Sequence, residues 1–363
     1  MKKIAIDCRC LQDASRYRGI GTMLRNLLKH LNLKAEYNLL CDTRLPALEP
    51  LNPDFNILYF PSPRLRHRYS KALTLFLKTH QINHIHFMAQ YNVPDYFDFP
   101  YSITVHDLFN DHLYVNNRLY QKALAPLKEK IKKAKHIIAI SNDVKQTLLA
   151  EVGLKEASIH TIYNGMDLTL TKQINPKSTI LKQHAISKPY ILYVGNFEAR
   201  KNLATTLAAF LEFNRDKSYQ FVACLGQKPL FYPFNIQRLV RHKKHEIICI
   251  HHIAYPDLLN LYKHAHALMF TSLAEGFGLP ILEAMAFGVP VLSSSQSAMP
   301  EVVQDGGLCK NPTDHKDLVD GLYEITENKA LRATYKTNMP KILDFFDNKK
   351  TAQHYHDFFS KIT

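Results

Sequence analysis

No CxxC pair occurs in the 363 residues, and the six cysteines (Cys8, Cys10, Cys41, Cys224, Cys249 and Cys309) are scattered along the chain. That spacing argues against a structural zinc site and reads as reduced, mostly buried thiols of a cytosolic protein. Long hydrophobic runs are missing too. Each apolar stretch is broken by charge, Gly or Pro, so no transmembrane helix is visible. The opening MKKIAIDCRC has only a three-residue apolar segment before Asp7, too short for the core of a signal peptide. The expected location is therefore cytoplasmic. Acidic residues are scarce: 32 Asp and Glu face 46 Lys and Arg, leaving a net charge of +14. Such a balance implies an acidic partner, and nucleic acid, anionic lipid and phosphorylated small molecules all fit. Zinc-finger spacing and RNA-recognition aromatic motifs are absent, which weighs against nucleic acid as a partner.

What is present is a rhythm. Strand-like runs alternate with helical patterns: KIAIDCR then GTMLRNLLKHL, FNILYF then LRHRYSKALTLFLK, KHIIAIS then NDVKQTLLAEVG. This is the pattern of parallel sheets with crossover helices. The first series closes at SIHTIYNGMD, and a polar stretch from 170 to 189 reads as an interdomain linker. The series restarts at YILYVG and continues through YQFVACLG, EIICIHH and HALMFTS. The expected architecture is α/β, with two Rossmann-like, doubly wound parallel-sheet domains over 1–170 and 171–350. Ligands in such sheets sit beyond the carboxyl ends of the strands. The closing residues 351–363 place Tyr355, Phe358 and Phe359 at helical spacing.

The run TSLAEGFGLPILEAMAFGVPVLSSS, residues 271–295, is apolar except for two glutamates eight residues apart. Glu275 falls in a glycine loop, and Glu283 falls inside a short helix opened by Pro280 and closed by Gly288. Burying an ionised carboxylate without partners is costly, and a carboxylate only accepts hydrogen bonds, so the pair suits a hydroxyl-rich ligand. The bland alternative is a helix cap at Glu275 and a helix-dipole contact at Glu283. In GNFEARKNL, which begins at Gly195, Arg200 and Lys201 precede a helix at the end of a strand. A guanidinium fork beside an ammonium suits a diphosphate there, whereas an isolated pair would simply be solvated. RYRGIG puts Gly21 at a helix start, but Leu24 occupies the third glycine position of a dinucleotide loop, so a flexible turn fits as well. SITVHDL ends a strand at His106 and Asp107, either a substrate contact or a structural pair, with no nucleophilic Ser or Cys beside it. In the first half, residues 62–78 combine an apolar helical stripe with Arg64, Arg66, Arg68 and Lys71 at its start. That stripe can pack on the sheet while the basic start meets an anionic membrane surface.

Together these segments resemble glycosyltransferase family 4, a retaining family with two Rossmann-like domains in the GT-B arrangement. IDCRCLQDASRYRGIG, TVHDL, HIIAISNDVKQTLL, IYNGMD, YVGNFEARKNL, EGFGLPILEAMAFGVPVLSSS and MPEVVQDGGL carry the likeness, which covers nearly the whole chain. The opening segment is further similar to bacterial transferases that build surface polysaccharides, several of which use mannose. The resemblance implies that the first domain binds the acceptor and the second the donor, facing each other across a cleft, with the closing helix of 351–363 crossing back onto the first domain. It implies that Arg200 and Lys201 hold the donor diphosphate, helped by backbone at Gly21 and Gly195. Glu275 would bind sugar hydroxyls beside the amides of Gly276, Phe277, Gly278 and Leu279, Glu283 would bind the ribose, and His106 would touch the sugar near its reacting carbon. At His252 family members often carry glycine, which leaves UDP against GDP open. The implied reaction moves a hexosyl group, with mannose a candidate, from a nucleotide-diphosphate sugar to a glycan or lipid-linked glycan, with no cofactor or metal. It would run in the cytoplasm or peripherally at the inner membrane face. Acceptor choice would lie in loops such as 90–99 and 109–118. A nucleotide-sugar epimerase and a non-catalytic nucleotide or glycan binder are the competing functions.

Overall fold

The computed structural model describes all residues except 1, 2, 18, 32–36, 49–54, 109–117, 227–237, 239 and 363, so most of the expected 109–118 loop lies outside the described residues. The chain divides into two compact units, one made of Met1–Gly165 with Phe346–Thr363 and the other of Met166–Phe345.

In the first unit seven strands form one sheet in the order β3-β2-β1-β4-β5-β6-β7, and every pairing is parallel. They are β1 (Lys3–Asp7), β2 (Tyr37–Asp42), β3 (Asn56–Phe60), β4 (Ile82–Phe87), β5 (Tyr101–Val105), β6 (His136–Ala139) and β7 (Ile159–Thr161). Central strands such as β1 and β5 are buried on both faces; IAI of β1 reads as an apolar run, whereas Ser102 and Thr104 of β5 are hydrogen-bonded to His84 and His86. Helices α1 (Gly19–His30), α2 (Arg66–Thr79) and α3 (Arg118–Lys133) are crossovers of this sheet. On α2, Leu73 and Leu77 are fully buried, while Arg64 and Leu65 just before it and Arg68, Lys71 and Leu75 on it are exposed.

The second unit repeats the scheme with six parallel strands in the order β10-β9-β8-β11-β12-β13. Its strands are β8 (Tyr190–Val194), β9 (Gln220–Leu225), β10 (Ile247–His251), β11 (Ala267–Phe270), β12 (Val291–Ser294) and β13 (Leu308–Lys310). The helices that matter below are α4 (Leu203–Phe213), α5 (Tyr255–His264) and α6 (Leu279–Ala286). Among the described residues, no helix is long and apolar enough to cross a membrane.

The chain passes between units at Gly165/Met166, ahead of the polar stretch that the sequence marks as a linker. That stretch belongs to the second unit because its polar groups find partners there. Asn175 donates to Asp257 at 3.0 Å, Asn260 donates to the Asn175 carbonyl at 2.9 Å, and Leu170 and Ile180 are buried.

The closing helix α7 (Asn348–Ile362) belongs to the first unit. Its face of Tyr355, Phe358 and Phe359 is buried, with the Phe359 ring 5.7 Å from Tyr37 and 5.2 Å from His86. At Gly165 a Cβ would come within 2.7 Å of the Asn348 Cα, so the chain can approach this helix only through glycine.

Candidate active site

In the second sheet the strand order reverses between β8 and β11, whose carboxyl ends are Val194 and Phe270. Two loops leave that point side by side. The first runs from Gly195 through a single 3-10 turn at Ala199–Lys201 to Asn202, which takes a left-handed φ of 56° before α4 begins. Asn tolerates that conformation better than most residues. Its amide donates to the carbonyls of Thr271 at 3.1 Å and Pro312 at 2.7 Å, and the Leu273 N–H donates to the Arg200 carbonyl at 2.7 Å. The RK turn is thereby pinned to the loop after β11.

The pinning brings three charges together across about 75 residues of sequence. Lys201 Nζ lies 2.5 Å from Glu275 Oε1 and Arg200 Nη1 lies 3.0 Å from Oε2, while Arg200 Nε reaches Glu198 at 2.8 Å. Lys201 also sits 5.3 Å above the Phe270 ring. The three side chains are only 10–12% exposed, so they are neither solvated surface charges nor a cap. Gly278, not Glu275, precedes α6, and Glu283 lies past that helix's first turn. Burial pushes the Glu275 carboxyl up, but Lys201 and Arg200 together outweigh it and hold it below the usual carboxylate range. It is ionised at neutral pH.

Glu283 behaves differently. Burial raises its pKa and no cation offsets it; the Tyr255 hydroxyl donates to Oε1 at 2.9 Å, and the Tyr262 hydroxyl faces the same carboxyl outside hydrogen-bond geometry. Gly276, Phe277 and Gly278 are buried between the two glutamates, with Leu279 half-buried at the start of α6. Gly278 has φ 129°, and a Cβ there would meet Ile281 Cδ1 at 3.0 Å. At Gly195 a Cβ would meet the Tyr193 hydroxyl at 3.3 Å and Lys201 Cδ at 3.4 Å, which places this glycine against the same lysine. His252 follows β10, exposed and left-handed at φ 52°, a conformation that glycine adopts most readily.

Gly21 and His106 belong to the first unit. α1 begins at Gly19, so Gly21 lies inside its first turn, not ahead of the helix as the sequence suggests. A Cβ there would come within 2.5 Å of the Arg16 Cα, which gives this glycine a packing reason. His106 is buried just past β5; burial pulls its pKa down to about 4 against a hydrogen bond to the Met88 carbonyl at 2.7 Å. The imidazole is neutral at pH 7, Nε2–H donates to that carbonyl, and Nδ1 is left as an acceptor. Asp107 instead accepts from the Tyr91 hydroxyl at 2.6 Å.

Sequence reasoning missed Tyr255 and the switch point of the first sheet, between β1 and β4. There Arg9 Nε meets Asp7 Oδ1 at 2.6 Å, Arg9 Nη2 donates to the Asn92 carbonyl at 2.8 Å, and the Asn92 amide donates to Asp7 Oδ2 at 2.8 Å. The signal was an Asp ending a buried strand two residues before an Arg.

Two Rossmann-like parallel-sheet domains in one chain are the fold of GT-B glycosyltransferases, and in the second domain a basic turn meets a Glu-bearing glycine loop at the switch point. Residues 17–170 match the model of Glycosyltransferase Family 4, and residues 176–342 match that of Glycosyl transferases group 1. The chain belongs to glycosyltransferase family 4. It is 28% identical over 232 residues to the O-antigen chain mannosyltransferase RfbU of Salmonella typhimurium, an alignment covering 62% of this chain and 61% of that protein. To the O-antigen chain mannosyltransferase B of Escherichia coli it is 36% identical over 127 residues, 34% of this chain and 33% of that one. Neither alignment reaches two thirds of the relative's length. HepE from Anabaena, solved with UDP-glucose, superposes with a TM-score of 0.74 at 17% identity over 99% of this chain and 100% of that one, a likeness of fold.

Proposed function

We propose that the chain is a retaining, metal-independent hexosyltransferase that moves a mannosyl group from a GDP- or UDP-linked sugar to a glycan or lipid-linked glycan in surface polysaccharide synthesis. The observation that carries the reading is the Arg200–Lys201–Glu275 cluster at the β8/β11 switch point. The mannosyltransferase relatives favour the sugar, and the nucleotide held by HepE favours the donor class.

As the glycosidic bond breaks, negative charge develops on the diphosphate oxygens. Arg200 and Lys201, fixed before the reaction by Asn202 and by the loop after β11, offer donors to that charge with little reorganisation. Glu275 is ionised and accepts hydrogen bonds from sugar hydroxyls, and Glu283 with Tyr255 serves the ribose. His106, neutral, accepts from a hydroxyl through Nδ1. The first unit takes the acceptor. Peripheral attachment follows from the exposed Arg64, Arg68 and Lys71 beside Leu65 and Leu75.

The deciding experiment is a transfer assay with GDP-mannose and UDP-hexoses on a panel of glycan and lipid-linked acceptors, with the product anomer read by NMR. Glu275→Ala and Lys201→Ala should each lose most turnover while keeping a folded circular-dichroism spectrum. Near-normal rates in both would refute the assignment, and an inverted anomer would refute retention.

A further inference from the structure

The first unit holds a cavity of about 570 Å³ between α3 and the loop after β4. Pro94, Phe97, Tyr101, Leu108, Leu124 and Leu127 form its wall. Tyr101 opens β5 and Leu108 lies just past its end, so the cavity borders both ends of that strand.

Apart from the exposed Tyr96, Glu129 and Lys133, the polar side chains on its border are already engaged. Tyr91 donates to Asp107 at 2.6 Å, Lys130 pairs with Asp95 at 2.6 Å, and the Tyr101 hydroxyl donates to the Lys130 carbonyl at 2.5 Å. A sugar needs a directed partner for each hydroxyl and finds little here; a hydrocarbon chain needs only the apolar wall. Tyr96 borders the cavity with 94% of its surface exposed, and Ser70 of α2 donates to its carbonyl at 3.0 Å. The cavity therefore adjoins α2 at Ser70, where Arg68 and Lys71 are exposed on a helix without a single acidic residue.

We propose that this cavity receives the hydrocarbon chain of an anionic amphiphile whose head group rests on Arg68 and Lys71. The apolar wall takes the chain, and the basic turn beside Tyr96 takes the charge. This deepens the proposed function by making that amphiphile the carrier of the acceptor, and it rests on that reading for the carrier role alone. Binding is measured without donor or turnover. An inactive enzyme that binds leaves the cavity assignment standing, and transfer to a soluble glycan without amphiphile binding would refute only the cavity.

The chain contains no tryptophan, so Tyr96→Trp installs a lone indole beside the cavity. Monomeric alkyl phosphates, kept below their micelle concentrations, should shift its emission to the blue. Affinity should rise about fourfold per methylene from octyl to dodecyl phosphate. Leu127→Glu should weaken dodecyl phosphate binding by about tenfold or more, since it puts a charge in the wall. Leu127→Asn, gentler on folding, should weaken it in the same direction, and dodecyl phosphate should raise the melting temperature of the unaltered chain. An equal response to inorganic phosphate, an affinity independent of chain length, indifference to both Leu127 variants, or displacement by a mannose oligosaccharide would each overturn the proposal.

Discussion

Replacing Lys201 by Met removes the ammonium that lies 2.5 Å from Glu275 Oε1 while keeping an apolar stem over Phe270. Both charged side chains are close to 90% buried, so the loss is not one of a surface pair. Breaking a buried pair by deleting one partner costs about 3–5 kcal/mol, because the remaining charge stays desolvated. Arg200 stays 3.0 Å from the other carboxylate oxygen, so the lower end of that range, about 3 kcal/mol, is expected. In a Glu275→Gln background the same change removes one of two adjacent cations that no longer share a counter-charge, and it should be neutral or stabilising. The coupling between the two positions is then about 3 kcal/mol or more. Urea unfolding of the parent, both single variants and the double variant at pH 7, followed by far-ultraviolet circular dichroism, measures it. The Glu275 carboxyl is held low in the fold. Its contribution is therefore complete above the ordinary carboxylate range and lost as pH falls through the lowered value, so the coupling should fade in acid. Effects at pH 7 that add to within about 0.5 kcal/mol would refute the claim that these side chains form one electrostatic unit.

Three further outcomes follow from other parts of the molecule. In the proposed mechanism Arg200 and Lys201 take the role of a divalent ion, so transfer should survive EDTA; loss of activity that manganese restores would contradict it. Anionic vesicles should sediment the protein at low salt, and both added salt and Arg68→Ser should weaken this, since Arg68 is exposed near the start of α2; absence of binding at low salt would remove the membrane-surface reading. His106 is held near pKa 4, so the unfolded chain takes up a proton between pH 6.5 and 5 that the fold refuses, and stability should fall by about 2 kcal/mol across that window from this residue alone. His86, buried beside His84 and His106, shifts in the same direction, and a urea midpoint that stays flat from pH 6.5 to 5 would show that neither histidine is held neutral.

The sheets were legible because parallel strands buried on both faces are rich in apolar runs, as IAI of β1, YILYV and ALMF are. The place of the charged cluster was legible too, since Arg200, Lys201 and Glu275 follow β8 and β11, the strands at the switch point. The polar stretch 170–189 reads as a linker, yet Asn175 and Lys188 bond to other parts of the second unit and Leu170 and Ile180 are buried. Contacts distant in sequence were not legible. Glu275 meets Lys201 across 74 residues and Asn92 meets Asp7 across 85, and no local pattern encodes either pairing. Nor could spacing show that Gly21 is glycine because of its approach to Arg16.

The two glutamates also look interchangeable in sequence, as apolar-run carboxylates suited to hydroxyls, yet their surroundings drive them apart. Glu275 is the counter-ion of two cations and carries a full charge, whereas Glu283 is raised by burial and shares its proton-poor neighbourhood only with tyrosines. In the proposed donor mode, a diphosphate arriving at Arg200 and Lys201 would compete with Glu275 for the same donors. Each hydrogen bond that it takes frees a carboxylate lone pair, and the nearest hydroxyls to use that lone pair are those of the sugar attached to the diphosphate. Donor binding in the proposed mode thus exchanges one set of charge-assisted bonds for another and leaves no ion desolvated alone. In that mode Glu283 would need no such exchange, because a ribose hydroxyl would add to a carboxyl that Tyr255 already orients. The chain can therefore keep its donor-side cations buried and neutralised before any substrate is present.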